Sequence, residues 1–229
     1  MERICEPELM EDPAQARAYA AADFSRTDGA MVEGLLARHG PHLGRRILDL
    51  GCGPGNITFR LADLCPEAAV VGVDGSAAML ALAESRRQQR ARQGASPSSL
   101  AFVQECLPCP SLPDGSFSAL VSNSLLHHLH DPGVLWQTVA RLGAPGAVVA
   151  VQDLRRPGEE SECQRLVRQH GAALHPLVRA DYLHSLRAAF SPEEVEDQLL
   201  RAGLEGLAVQ CVDDQYLRVE GRLPGRLIR

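Results

Sequence analysis

No apolar run in the sequence approaches the roughly 18 residues a membrane span needs. The opening residues Met1-Glu2-Arg3-Ile4-Cys5-Glu6-Pro7-Glu8 lack the apolar core of a secretion signal. Both absences point to a cytoplasmic protein that is not held by a membrane. A disulfide framework is lacking too: the seven cysteines are odd in number and scattered, so they are expected to be thiols, mostly small core residues. There is no continuous basic face. The net charge is −6, and the single basic run, Arg86-Arg87-Gln88-Gln89-Arg90-Ala91-Arg92, reads as the solvated end of a helix. Nucleic acid is therefore not an expected partner. No internal repeat is present, and the stretch from Gly94 to Ser99 is a surface loop too short to link two domains.

What remains is an ordinary globular composition, 45% hydrophobic and 23% charged over 229 residues, enough for one α/β domain with a sizeable core. Strand-length apolar runs recur at Arg46 to Leu50, Ala69 to Val73, Leu100 to Gln104, Ala119 to Ser122 and Ala147 to Gln152, with helix-length segments between them. That alternation predicts a parallel sheet covered by helices on both faces. Helix starts are marked by Asp131-Pro132 and by the capping box Ser191-Pro192-Glu193-Glu194, whose helix ends near Ala202-Gly203. Two β-rich runs, Leu207 to Val212 and Gln215 to Glu220, flank Asp213-Asp214 and predict an antiparallel hairpin. The fold class is thus α/β, a Rossmann-like three-layer sandwich whose mostly parallel seven-stranded sheet ends in an antiparallel pair. Within a single domain spanning 1–229, residues 1–44 form an N-terminal helical cover and 45–153 the core. Residues 154–190 form a helical lid insertion, and 191–229 the last helix and hairpin.

The strongest local signal is Ile47-Leu48-Asp49-Leu50-Gly51-Cys52-Gly53-Pro54-Gly55-Asn56, a buried strand running into a glycine-rich turn and a helix. Glycines there permit positive φ and close approach of a ligand to the backbone. The spacing is G-x-G-x-G rather than the G-x-G-x-x-G of a pyrophosphate-binding turn. Asp49 at its mouth would repel a pyrophosphate and attract a cation. Asp74, at the end of the next strand, stands where an acid accepts the hydroxyls of a ribose.

These residues resemble the cofactor motif of class I S-adenosylmethionine-dependent methyltransferases, especially the small-molecule branch similar to ubiquinone and menaquinone methyltransferases. The likeness runs from about Arg45 to Asp153. It implies S-adenosyl-L-methionine as cofactor, with Asp49 at the amino-acid end, Gly51, Cys52, Gly53, Gly55 and Asn56 lining it, and Asp74 and Gly75 at the ribose. Met79 would pack on the adenine. Where the family usually has an aspartate for the adenine amino group, this chain has Cys106. Glu105, or the backbone around Cys106 and Leu107, would take that part. Asn123 and Ser124 would face the cofactor, and Tyr19, on an alanine-rich helix from Pro13 to Phe24, would line the site or pack at the sheet edge.

Methyl transfer from a sulfonium is an in-line displacement that positioning alone can accelerate, and a base is needed only where the acceptor must lose a proton. The segment Ser122-Asn123-Ser124-Leu125-Leu126-His127-His128-Leu129-His130 lies at the carboxyl end of a strand, where open α/β sheets bind ligands. His128 either orients this loop or approaches the acceptor, and His127 and His130 are further candidates. Asp153 is a candidate base, and Arg156 a candidate partner for a substrate anion, unless the two form an internal ion pair. The lid helices are expected to be interrupted at His175-Pro176 and at Ala180 to His184, and Tyr182 in the second stretch is a candidate acceptor contact. Cys106-Leu107-Pro108-Cys109 has C-x-x-C spacing, but the prolines after it do not suit a redox helix and no second pair completes a zinc site. No metal is expected. The acceptor is expected to be a small molecule of unknown identity. Alternatives are a non-catalytic cofactor-binding subunit, an arsenite-type metalloid methyltransferase requiring gathered thiols, with Cys163 in the lid as the extra candidate, and a nicotinamide oxidoreductase.

Overall fold

The computed structural model describes residues 1–94 and 99–225, so most of the loop expected from Gly94 to Ser99 lies outside the described residues. In chain order the elements are α1 (Pro13–Ala21), α2 (Ser25–His39), β1 (Arg46–Leu50), α3 (Asn56–Leu64), β2 (Ala69–Asp74), α4 (Ala77–Arg92), β3 (Leu100–Gln104) and β4 (Phe117–Asn123). A 3-10 turn (Leu126–His128) leads into α5 (Gly133–Leu142) and β5 (Gly143–Leu154). Then follow α6 (Glu160–His170), α7 (Pro176–Ala188), α8 (Pro192–Arg201), β6 (Leu207–Cys211) and β7 (Tyr216–Arg222).

The seven strands form one sheet in the order β3-β2-β1-β4-β5-β7-β6. Pairings from β3 through β5 are parallel and β7 is antiparallel to both neighbours, as the alternation and the terminal hairpin predict. The strand order reverses between β1 and β4, which opens a crevice at their carboxyl ends.

Side-chain alternation along the strands divides the core in two. Leu48, Leu50, Leu120, Val149 and Val151 face one way and pack with Trp136 of α5 and Leu199 of α8. Ile47, Ala119, Val121, Val148 and Ala150 face the other and pack with Leu35 of α2 and Phe59 of α3. A third, smaller cluster of Leu154, Cys163, Leu166, Leu186 and Ala189 holds the lid helices α6 and α7 together.

The capping box holds at α8, whereas α5 takes Pro132 rather than Asp131 as its N-cap, without a side-chain cap. Ser191 and Glu194 form a reciprocal capping box at α8, and Gly203 beyond its end has φ 69°. Asp131 accepts from Gly133 N at 2.9 Å, so α5 starts just after Pro132. Three further expectations need correction. Of the two interruptions expected in the lid, His175-Pro176 is one, with His175 as the cap of α7, but residues 180–184 are not, because α7 is continuous across them. The helix expected from Pro13 to Phe24 ends at Ala21, and after Ala22 to Phe24 a separate helix, α2, begins at Ser25. Arg86 is not a solvated helix end: it donates to Pro54 O, Asn56 Oδ1 and Ala20 O, tying α4 to the glycine turn and to α1.

Trp136, the only tryptophan, is wholly buried between α5 and α8, and its indole N–H donates to Gln198 Oε1 at 2.9 Å. Trp136→Ala removes a large core side chain and orphans that acceptor. Urea unfolding followed by circular dichroism is expected to show a loss of about 3–5 kcal/mol, and Trp136→Phe a clearly smaller one.

Candidate active site

The crevice at the carboxyl ends of the strands continues into one cavity of about 720 Å³. Its floor is the glycine-rich turn. Gly51, Gly53 and Gly55 all have positive φ, at 68°, 52° and 87°. Their surroundings differ in a way that spacing alone does not reveal. A Cβ on Gly53 would meet nothing within 4 Å, so its backbone is open to a ligand, whereas one on Gly51 would strike Leu125 at 2.8 Å. A Cβ on Gly55 would strike Phe59 at 2.8 Å and Phe102 at 3.1 Å, and Gly55 does not line the cavity. This corrects its placement as a cofactor contact: it lets α3 start in a left-handed conformation against two aromatic rings.

Three carboxylates line one end of the cavity. Asp49, at the end of β1, is 1% exposed and accepts from Thr58 Oγ1 at 2.5 Å. Burial, reinforced by Asp74 and Asp28, pushes its pKa up to about 7 against the opposing hydrogen bond from Thr58. Asp74 accepts from Gly53 N at 2.7 Å and from Ser76 N at 2.8 Å, which fixes its carboxylate while leaving lone pairs toward the cavity. Its pKa is also raised by burial. The third is Asp28 on α2, which shares the inward-facing stripe with Val32 and Leu35 and lies near Asn56, Arg60 and Arg86. Burial lifts its pKa to about 6. Such a group of buried acids fits a ligand bearing an ammonium and a sulfonium and suits no pyrophosphate.

Cys52, Asn56, Gly75, Met79, Glu105, Cys106, Leu107, Asn123, Ser124 and Tyr19 also line this cavity. Asn56 is held by Arg86, and Tyr19 packs on Phe24 with ring centroids 5.0 Å apart. Glu105 has both oxygens committed to Ser111, to its N–H at 3.0 Å and its hydroxyl at 2.7 Å, which leaves the Cys106-Leu107 backbone for an adenine edge. The C-x-x-C pair forms a turn in which Cys109 N donates to Cys106 O. Cys109 is buried and its thiol pKa is pushed up to about 12, the opposite of a redox cysteine.

The other end of the cavity is built by the loop after β4, by α7 and by residues 1–12, a strap without regular secondary structure where the expected N-terminal cover is helical. Arg3 anchors the strap by donating to Ala188 O at 2.5 Å and to His127 O and Leu129 O, both at 2.9 Å, with its guanidinium 4.0 Å from the Phe190 ring centroid. Ile4 N donates to Arg187 O, and Ser76 Oγ to Met10 O. The strap carries Glu6 into the cavity. There its carboxylate accepts from Ser185 Oγ at 3.0 Å and lies 3.5 Å from His127 Nε2 and 3.1 Å from His128 Nδ1.

Asp153 does not line the cavity. Gln152 and Leu154 do, and strand alternation turns the residue between them to the opposite face. There its carboxylate meets His127 Nδ1 at 2.5 Å and accepts from Leu126 N at 2.7 Å, so it positions the loop and is no direct base. Burial opposes charge on His127, but Asp153 and then Glu6 outweigh it and raise the pKa. His128 is held well below its ordinary value by burial and by the neighbouring His127. Arg156 is likewise corrected: it donates to Ala189 O and to Glu194 Oε1, away from the cavity, and it pairs with Glu194 rather than with Asp153. Tyr182 does line the cavity, its hydroxyl donating to Gln215 Oε1 at 2.6 Å. His130 is at the surface, bound to the strap through Glu6 O and Glu8.

The sequence matches the methyltransferase domain family over residues 41–198. It is 34% identical over 178 residues to the trans-aconitate 2-methyltransferase of Variovorax paradoxus, covering 76% of this chain and 62% of that protein. The chain spans about half the length of another curated relative, from Streptomyces coelicolor. In three dimensions it is similar to a SAM-dependent methyltransferase from Aquifex aeolicus, with a TM-score of 0.67 at 19% identity over 93% of this chain and all of that one. It is also similar to the Haemonchus contortus phosphoethanolamine N-methyltransferase 2 in complex with S-adenosyl-L-methionine, with a TM-score of 0.69 at 17% identity over 93% and 57% of the two chains. With the matched domain covering more than half of its length and the acidic, glycine-floored cavity at the β1/β4 crevice, the chain belongs to the class I S-adenosylmethionine-dependent methyltransferase family.

Proposed function

We propose that this protein binds S-adenosyl-L-methionine across β1 and β2 and transfers its methyl group, by in-line displacement, to a small molecule held under the strap and α7. The observation that carries this reading is the grouping of Asp28, Asp49 and Asp74 at one end of a cavity whose other end is closed by segments outside the sheet. Bound there, the cofactor supplies an electrophilic methyl carbon. Asp49 and Asp28 neutralise its charge, Asp74 takes the ribose hydroxyls, and Asn123, whose buried Oδ1 has no partner, takes a donor. The strap and α7 exclude water from the acceptor. In this division 1–44 and 154–190 cover a core of 45–153, and 191–229 completes the sheet.

Charge narrows the acceptor. The chain contains no lysine, and among the described residues the arginine lining the cavity is Arg26, exposed at the mouth. Arg3 and Arg156 are committed elsewhere. An acceptor with several carboxylates, such as the trans-aconitate named for relatives, would find no guanidinium at the inner end. We therefore favour an acceptor with little negative charge. Nucleic acid does not suit a cavity of this size and sign. The described residues contain no helix long and apolar enough to cross a membrane, in keeping with a cytoplasmic enzyme. The metalloid alternative needs thiols at the acceptor end, but Cys163 is buried in the lid cluster beside Met1. A non-catalytic subunit is distinguished by cofactor binding without turnover.

Two outcomes are expected. In calorimetry, S-adenosylmethionine and its demethylated product bind and NAD does not, and Asp74→Ala weakens binding by about 2–4 kcal/mol as two hydrogen bonds to a charged acceptor are lost. Unchanged affinity in that variant would remove Asp74 from the site. The second outcome is a pH profile. A cation binds the ionised form of Asp49, so with its pKa near 7 protonation competes as pH falls. Cofactor affinity should drop about tenfold or more between about pH 7.5 and 5.5, with Asp28 adding to the lower part. Asp49→Asn should bind weakly with a flatter profile, and a wild-type profile that is flat over this range contradicts the assignment.

A further inference from the structure

We propose that Glu6, His127 and His128 hold a divalent first-row transition ion, with Asp153 orienting His127 from behind and the open coordination positions facing the acceptor end of the cavity. The ligand atoms of these three residues lie within 4.8 Å of one another. Donors about 2.1 Å from a shared ion stand roughly 3.0 Å apart at right angles and roughly 3.4 Å apart in a tetrahedron. The Glu6 carboxylate is 3.1 Å from His128 Nδ1 and 3.5 Å from His127 Nε2. Small side-chain rotations would close the set around one ion.

The unmet bonding capacity of the cavity points the same way. His128 Nδ1 is buried without a hydrogen-bond partner, because its contact with Glu6 lacks the alignment of a hydrogen bond. Asp181 Oδ2, on α7 in the same cavity, is also buried and unpartnered. Buried polar atoms are nearly always satisfied; Asp181 Oδ2 is an acceptor, and so is His128 Nδ1 in the tautomer that carries its proton on Nε2, so a cation or a donor would satisfy both. Behind them, Asp153 meets His127 Nδ1 at 2.5 Å. With the proton on that nitrogen, Nε2 presents its lone pair to the cavity, the arrangement in which carboxylates hold metal-binding imidazoles. Two imidazoles and one carboxylate suit Zn²⁺, Fe²⁺ or Co²⁺ better than Mg²⁺ or Ca²⁺, which prefer all-oxygen shells.

Glu6 comes from the strap and the histidines from the loop after β4, so an ion would pin the strap over the cavity. Its free positions would take a neutral oxygen or nitrogen of the acceptor. That role rests on the methyl-transfer reading. Ion binding is measured without either substrate, so the two ideas fail separately.

The test is titration of metal-stripped, tag-free protein with Co²⁺, read by visible absorption, and with Zn²⁺ in competition. One equivalent is expected to bind with a ligand-field spectrum of low coordination number. His128→Ala and Glu6→Gln should each abolish the spectrum or weaken binding at least tenfold, and Asp153→Asn should weaken it about 10–100-fold. All three should still bind demethylated cofactor, which checks folding. Zn²⁺ should also slow proteolysis within residues 1–12 of the wild type but not of Glu6→Gln. Absence of stoichiometric binding, or binding that survives in His128→Ala and Glu6→Gln, overturns the proposal. Stabilisation by simple amines with no response to metal would overturn it too and assign the acidic end to a cationic acceptor.

Discussion

The constraint from which the rest of the site follows is the burial of Asp49 at the end of β1. Its hydrogen bonds from Thr58, by side chain and backbone, do not repay the loss of water, and Asp74 and Asp28 add repulsion, so the carboxyl is held near pKa 7. A fold that keeps three acids this close is spending stability on a site for a cation. The glycine turn then has a clear purpose, since only a floor without side chains lets a ligand reach Asp49 and Asp74 together. Gly53 is the open part of that floor, and Gly51 and Gly55 hold it against Leu125, Phe59 and Phe102. Arg86 adds support from outside, bonding the turn and α1 in one grip.

Periodicity made most of the sheet legible. Buried parallel strands read as apolar runs, and the hairpin and capping box rest on short-range chemistry. The cofactor end was legible because its parts follow one another along β1, the turn and β2. What escaped has a common cause: it depends on which way a side chain points, or on segments joined only in space. Asp153 lies one residue from Gln152 and faces the other side of β5. Arg156 seemed free at the rim, but the capping box of α8 brings Glu194 to it. Asp181, Tyr182 and His184 looked like breaks, whereas α7 runs through them and presents them to the cavity. Asp28 was the exception that could have been found, as a charge within an apolar stripe.

The strap shows the limit most clearly. Nothing periodic distinguishes residues 1–12, and their importance comes from bonds across long sequence separations: Arg3 to the loop after β4 and to the end of α7, Glu6 to Ser185, and Ser76 to Met10. These contacts leave the sheet with little influence over the acceptor. The strap, α1 and α7 line the cavity from outside the sheet, attached by hydrogen bonds and a few apolar contacts rather than by the main core.

Such an arrangement also explains why relatives sharing the cofactor end need not share an acceptor. The strap supplies Glu6, the loop after β4 supplies His127 and His128, and α7 supplies Asp181 and Tyr182, so three segments of unrelated origin in the chain define one small volume. Exchange of a single anchor changes its charge without disturbing β1 or β2. An arginine free at this end would favour a polycarboxylate. In this chain Arg3 and Arg156 are tied down, where they hold the cover in place, and Glu6, Asp181, His127 and His128 line the inner end. Those two guanidiniums instead secure the cover, Arg3 through Ala188 O and the loop after β4, and Arg156 through Ala189 O and Glu194.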